Sequence, residues 1–384
     1  MHAVWSYVAI LVIALLVTAA ANRPARLVAL KVGHAAQPDA RKVHQKVTPY
    51  GGGAAMFIGL CVASTLAVLF PPLRAAISSD KEMLGVLVGA AIIFVVGMID
   101  DHREMSAPAK VAGEILAATA LYFSGCTMQE LKLPFAGFVA LGPSVLPLVT
   151  AIWVFALCNA INLIDGLDGL AAGIVAIASG TLCVYGLRLE DLGLIPRTNI
   201  GPLVAAITCG ICLGFLPDNF HPARIFMGDS GALMLGLLMS ASTMVIGGRT
   251  PPTSGVTFFF FAPLLIPFFI LGVPLFDAAL AFVRRTATGQ GFQTADKNHI
   301  HHRLMRLGHG HRRTVAILWL WTALLCAFVL FPLFLPRVNV FIPFGVALLA
   351  IALYTWFHPS LRPLGPEAPE VPESPEEAAE SKVP

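Results

Sequence analysis

Long stretches without a charge dominate the chain, each close to the length that crosses a bilayer. A hydrocarbon core needs about 20 apolar residues in a helix. Eleven stretches approach that length: 3–21, 51–70, 83–99, 109–125, 143–158, 170–187, 200–216, 231–247, 256–283, 314–335 and 338–357. Backbone in lipid has no water to bond, so such stretches must close their hydrogen bonds as helices. The implied fold is all-α, a polytopic membrane bundle of about eleven transmembrane helices over residues 1–357. Charged residues are 12% of the chain, against roughly 25% in soluble proteins. That excludes an ordinary soluble enzyme, a disordered protein and a basic nucleic-acid binder. The seven cysteines lie in or beside the apolar runs, lack a second ligand pair, and read as small core residues. The first run ends at Ala19-Ala20-Ala21 like a signal-peptidase site, but its first basic residue, Arg23, follows the run, so it is read as a span.

Eleven spans put the termini on opposite sides. Of the 25 Lys and Arg, only Arg74, Lys81, Lys132, Arg188, Arg197, Arg249 and Arg337 fall on one side. The charge-rich side is cytoplasmic by the positive-inside rule, with the N-terminus outside and the C-terminus inside. Residues 358–384, rich in proline and glutamate, cannot build a core and read as a disordered cytoplasmic tail.

Polar clusters occupy the first, third, fifth, seventh and ninth loops, which share the cytoplasmic face. The first carries Arg41, Lys42 and His44 ahead of Thr48-Pro49-Tyr50-Gly51-Gly52-Gly53. Alone this reads as a basic loop before a helix; its glycines also allow close approach of backbone to a ligand, and its cations suit a phosphate. The third opens with Asp100-Asp101 at a helix C-terminus, the unfavourable end for negative charge, so a metal or a basic partner is needed. In the fifth, Asn159, Asn162, Asp165 and Asp168 recur every third residue with two glycines, a helix end breaking into a turn that gathers them around one ligand. The seventh has Met227-Gly228-Asp229-Ser230-Gly231 at a span's start, where an acid also serves as a cap. The ninth has His299-Ile300-His301-His302-Arg303 amid further arginines, an anion site. Glu114 and Asp277 lie inside spans near the cytoplasmic end, within reach of the interface, and read as supporting residues.

Oxygen donors without cysteine suit Mg²⁺, which prefers carboxylates and substrate phosphates. Histidines and arginines on the same face would neutralise a diphosphate, and the membrane implies a lipid substrate. The ordered motifs resemble those of the polyprenyl-phosphate N-acetylhexosamine-1-phosphate transferase family. The resemblance runs from about residue 38 to 313, through Arg-Lys-x-His…Pro-x-Gly-Gly, Asp-Asp, Asn-x-x-Asn-x-x-Asp-Gly-x-Asp-Gly, Met-Gly-Asp-Ser-Gly and His-Ile-His-His-Arg.

The resemblance implies transfer of a sugar 1-phosphate from a UDP-sugar to undecaprenyl or a similar polyprenyl phosphate, with release of UMP. It implies an inner (plasma) membrane enzyme with a cytoplasmic cleft, dependent on Mg²⁺ with Mn²⁺ as a substitute, and compatible with a homodimer. By resemblance Asp229 matches the metal ligand, and Asp100 and Asp101 match acids that position or deprotonate the lipid phosphate. Asn162, Asp165 and Asp168 match nucleotide-sugar residues. The resemblance assigns catalytic roles to Asp100, Asp101, Asp168, His301 and His302, and substrate binding to Arg41, Lys42, His44, Asn159, Asn162, Asp165, His299 and Arg303. The muramoyl-pentapeptide branch has three consecutive histidines; Ile300 in that run favours the N-acetylglucosamine branch. Another UDP-N-acetylhexosamine remains a second donor reading. A cation-coupled transporter would place charges at mid-span and break helices in matching halves, and a phosphatidyl-alcohol transferase would continue its Asp-Gly motif with Ala-Arg; the chain shows neither pattern.

Overall fold

A computed structural model describes residues 2–36, 47–103, 105–133, 137–247, 310–334, 344–347 and 349–350. Ten helices carry the described architecture. These are α1 (His2–Val32), α2 (Gly52–Ala67), α3 (Pro71–Ser79), α4 (Glu82–Arg103), α5 (Ala107–Phe123), α6 (Leu146–Ile164), α7 (Leu170–Asp191), α8 (Gly201–Asn219), α9 (Gly228–Gly247) and α10 (His311–Phe334). Seven of them are long and apolar enough to cross a membrane, or eight if the bent pair α2–α3 forms one span. The bundle is therefore all-α and polytopic. The ninth run, 256–283, and the tail, 358–384, lie outside the described residues, and only residues 344–347 and 349–350 of the eleventh are described, all helical.

Several helices overrun their apolar stretches. The first extends from residue 21 to Val32, carrying Arg23 and Arg26 beyond the charge-free run and ending on Lys31, a favourable charge for a helix C-terminus. α4 continues through Asp100 and Asp101, so the acid pair lies in its last turn and not in a loop. The second run breaks: Phe70 is extended, as the residue before a proline prefers, and α3 starts at Pro71-Pro72, bent by 103° from α2. Two short antiparallel ladders, Ala35–Ala36 with Thr48–Pro49 and Glu130–Leu133 with Gly137–Ala140, lie between α1 and α2 and between α5 and α6.

α9 sits at the centre, buried almost end to end, and α7 and α8 are buried over most of their length. α1, α4, α6 and α10 are peripheral, with Trp5, Leu16, Leu84, Leu148 and Ile152 exposed, as a lipid-facing surface requires. Small residues let the central helices approach closely. A Cβ on Gly236 would lie 2.4 Å from the Cα of Cys158, bringing α9 onto α6, and one on Gly97 would lie 2.4 Å from the Cα of Ser230, bringing α4 onto the start of α9. The ends of α2, α4, α6 and α9 are thereby fixed against one another.

Candidate active site

Residues from the first, third, fifth and seventh loops meet at one end of this bundle, as their parity requires. The centre is Asp229, in the first turn of α9. Its carboxylate does not cap its own helix. Oδ1 accepts a hydrogen bond from Nδ2 of Asn162 at 2.8 Å, and Oδ2 forms an ion pair with Lys110 at the start of α5. The same ammonium is 2.8 Å from Oδ2 of Asp100, whose Oδ1 accepts the Met105 amide. Two carboxylates from α4 and α9 thus share one cation.

The wrong-end placement of the acid pair is compensated twice. Lys110 neutralises Asp100, and Asp101 accepts two backbone N–H groups from the start of α9. The motifs of the sequence do not include Lys110, although a lysine opening an apolar span beside an acid pair is the pattern of a paired boundary charge.

The four polar residues of the fifth loop do not surround one ligand. α6 ends at Ile164, and α7 begins after Gly169, whose φ of +79° is the left-handed conformation that turns the chain. Asn162 faces Asp229, whereas Asn159 turns to Glu114 on α5, donating to both carboxylate oxygens at 2.9 and 3.0 Å. Glu114 is 1% exposed, buried within the bundle and held by Asn159. Asp165 stands among the acids; burial, then Asp229, Asp101 and Asp168, hold its carboxyl well above the usual range. Asp168 is buried and points elsewhere, its Oδ2 accepting the Ala223 amide at 3.0 Å and lying 2.8 Å from Nδ1 of His221. His221 stacks on His311 of α10, with ring centroids 4.1 Å apart, and Arg312 donates to the His221 carbonyl at 3.0 Å. Asp168, His221 and His311 bring one ligand atom each to within 4.8 Å of one another. Neither His221 nor His311 stood out in the sequence, lying outside the motifs that did.

The backbone amides of the first loop's glycines bind protein. The amides of Gly51 and Gly52 donate to the Phe226 carbonyl at 3.3 and 2.9 Å, and that of Gly53 to the Met227 carbonyl at 3.1 Å. A Cβ on Gly52 would lie 2.8 Å from the Phe226 carbonyl oxygen, so close approach to that strand-like segment requires glycine there. Tyr50 packs on Phe226 and His34 at the edge of the acid cluster, its hydroxyl pushed up by burial and then by Asp101, Asp165 and Asp229. Arg41, Lys42, His44, Asp277, His299, His301, His302 and Arg303 lie outside the described residues.

The donor set suits a hard divalent cation. Asp229, Asp100 and Asn162 offer oxygens around a point where one ammonium is shared by two carboxylates and leaves one negative charge over, with no sulfur or imidazole among their hydrogen-bond partners in the described residues. Cation exchange at this point, and neutralisation of an anionic substrate by Lys110 and the cation together, is the chemistry the arrangement can perform.

Residues 83–247 match the family model described as glycosyl transferase family 4. The chain is 38% identical to a decaprenyl-phosphate N-acetylglucosaminephosphotransferase of Mycobacterium tuberculosis, over 81% of this chain and 78% of that protein. It is 40% identical to a probable undecaprenyl-phosphate N-acetylglucosaminyl 1-phosphate transferase of Bacillus subtilis, over 76% and 75%. A phospho-N-acetylmuramoyl-pentapeptide-transferase of Desulforudis audaxviator is 34% identical over 53% of this chain and 64% of its own length.

Proposed function

The chain belongs to glycosyl transferase family 4, and from that premise we propose that it transfers N-acetylglucosamine 1-phosphate from UDP-N-acetylglucosamine to a polyprenyl phosphate. UMP is released, and the product is the first lipid-linked intermediate of a cell-envelope glycan. The observation that carries the reading is Asp229, placed at a helix start between Lys110 and Asn162 with Asp100 on the same ammonium.

In the reaction one P–O bond forms between the lipid phosphate and the sugar-bearing phosphorus, and the bond from that phosphorus to UMP breaks. A phosphate monoester is already mostly ionised at neutral pH, so the acid pair is asked for positioning as much as for proton abstraction. Asp229, with Asp100 and Asn162 beside it, would hold Mg²⁺. When bound, the ion supplies neutralisation of the diphosphate and of the charge developing on UMP. Lys110 exchanges a carboxylate partner for a phosphate oxygen as substrates enter, keeping the cluster's charge balanced. His299, His301, His302 and Arg303 clamp the donor diphosphate, and Arg41, Lys42 and His44 supply further cations. The excess of Lys and Arg in the odd loops supports a cytoplasmic position for this face, beneath the plasma membrane.

A UMP-release assay with membranes, Mg²⁺, UDP-N-acetylglucosamine and polyprenyl phosphate tests the proposal. Wild-type protein should release UMP only when both substrates and the metal are present, and Asp229→Asn should abolish release while the protein elutes folded in detergent. Near-normal turnover of Asp229→Asn at saturating Mg²⁺ would remove Asp229 from the reaction.

A further inference from the structure

Asp100 and Asp101 are neighbours in sequence that face different partners. Asp100 is bonded to Lys110 and to the Met105 amide on the flank of α5. Asp101 gives one carboxylate oxygen to the backbone N–H of Asp229 at 2.7 Å and the other to that of Ser230 at 3.1 Å. Amides in the first turn of a helix have no acceptor within their own helix. α9 starts at Gly228, which has no side chain to accept them, so α4 supplies the missing cap across the bundle. The space is shaped for it: Gly228 has φ +65°, and a Cβ there would lie 2.5 Å from Oδ2 of Asp101. Gly97, one turn before Asp101, lets the α4 backbone meet Ser230 directly. The pairing also joins an acid at the disfavoured end of one helix to the favoured end of another.

We infer that Asp101 is a positioning residue: it aims Asp229 by holding the backbone that carries it, and it neither takes a proton nor touches the lipid phosphate. Asp100 is the member of the pair left to face a ligand. This rests on the reading of Asp229 as the cation ligand.

The test uses purified full-length protein in detergent, with Mn²⁺ as probe and the free-ion electron paramagnetic resonance signal as readout. Asn at position 101 keeps one acceptor and turns its NH₂ toward the second amide, whereas Ala keeps none. Losing a hydrogen bond to a charged acceptor is worth about tenfold or more. Asp101→Asn should therefore weaken Mn²⁺ binding about tenfold, and Asp101→Ala more than that. Turnover should fall in the same order, with both limbs of the pH profile unmoved. Equal inactivity of the two variants with wild-type Mn²⁺ affinity, the loss of a pH limb, or wild-type behaviour of both would overturn the inference. If wild-type protein binds no Mn²⁺, the metal reading fails, and the graded fall in turnover with an unmoved pH profile still decides the role of Asp101. If the Ala variant does not fold, the comparison of Asp101→Asn with wild type carries the test.

Discussion

Replacing Lys110 by Met isolates the charge at the centre of the site, since Met retains an unbranched apolar stem of similar reach. The ammonium lies 2.8 Å from Asp100 and also pairs with Asp229, and the three side chains are 17%, 13% and 30% exposed. Exposed pairs contribute about 0–1 kcal/mol, whereas stranding a buried charge costs about 3–5 kcal/mol. This half-buried cluster falls between, so removal of the lysine from metal-free protein should cost about 2 kcal/mol. At about 2–4 °C per kcal/mol for a large domain, the melting midpoint should drop by roughly 4–8 °C. The deficit should close as Mg²⁺ is added, because the ion can neutralise the same carboxylates; at a hundredfold excess over its Kd, binding contributes about 2.7 kcal/mol. Wild-type protein should gain less, since the ion there must first displace the ammonium. The assay is thermal unfolding in detergent across a Mg²⁺ titration, with turnover measured in parallel and expected to be lost in Lys110→Met at every metal concentration. Equal midpoints without metal, or equal Mg²⁺ responses in the two proteins, would refute the reasoning.

Three further outcomes follow from the same geometry and from the chain's motifs. Asp165 binds its proton more tightly when folded than unfolded, so its contribution to stability is present at low pH and is lost as pH rises through its raised value; Asp165→Asn should flatten that alkaline loss in a series of melting curves. Truncation after Pro359 should leave the specific activity of purified protein unchanged, since an acidic, proline-rich tail cannot pack into the site. In competition between UDP-N-acetylglucosamine and the muramoyl-pentapeptide donor, the first should be used, because Ile300 offers no hydrogen bond to the second; alanine at His301 or His302 should depress turnover more than lipid binding.

Loop parity makes the location of the site legible, because charge is expensive in lipid and the polar clusters of the first, third, fifth and seventh loops meet at one end of the described bundle. Contacts between helices were less accessible. The three-residue rhythm of Asn159, Asn162, Asp165 and Asp168 suggests one shared ligand, but Asn159 turns to Glu114 and Asn162 to Asp229 from α6, and Asp168, beyond the end of that helix, turns to His221. The glycines of the first loop announced a close approach without saying what approaches; it is the Phe226–Met227 backbone. Helix ends differ from the ends of the apolar runs for one physical reason: apolar runs mark where lipid ends, whereas helices such as α1 and α4 continue beyond them, to Val32 and Arg103.

The cap that Asp101 places on α9 also sets an order of events during biogenesis. Its two amide partners lie 128 and 129 residues further along the chain, and the Asp229 partner of Lys110 lies 119 residues further. At about 5–20 residues per second of synthesis, Asp101 waits roughly 6–26 s before α9 emerges. Until then the Asp101 carboxylate lacks its partners and is best accommodated hydrated at the bilayer surface, which holds the end of α4 against slipping into lipid. The nascent chain therefore carries its own depth marker, and the arrival of α9 converts that marker into the joint between α4 and the start of α9.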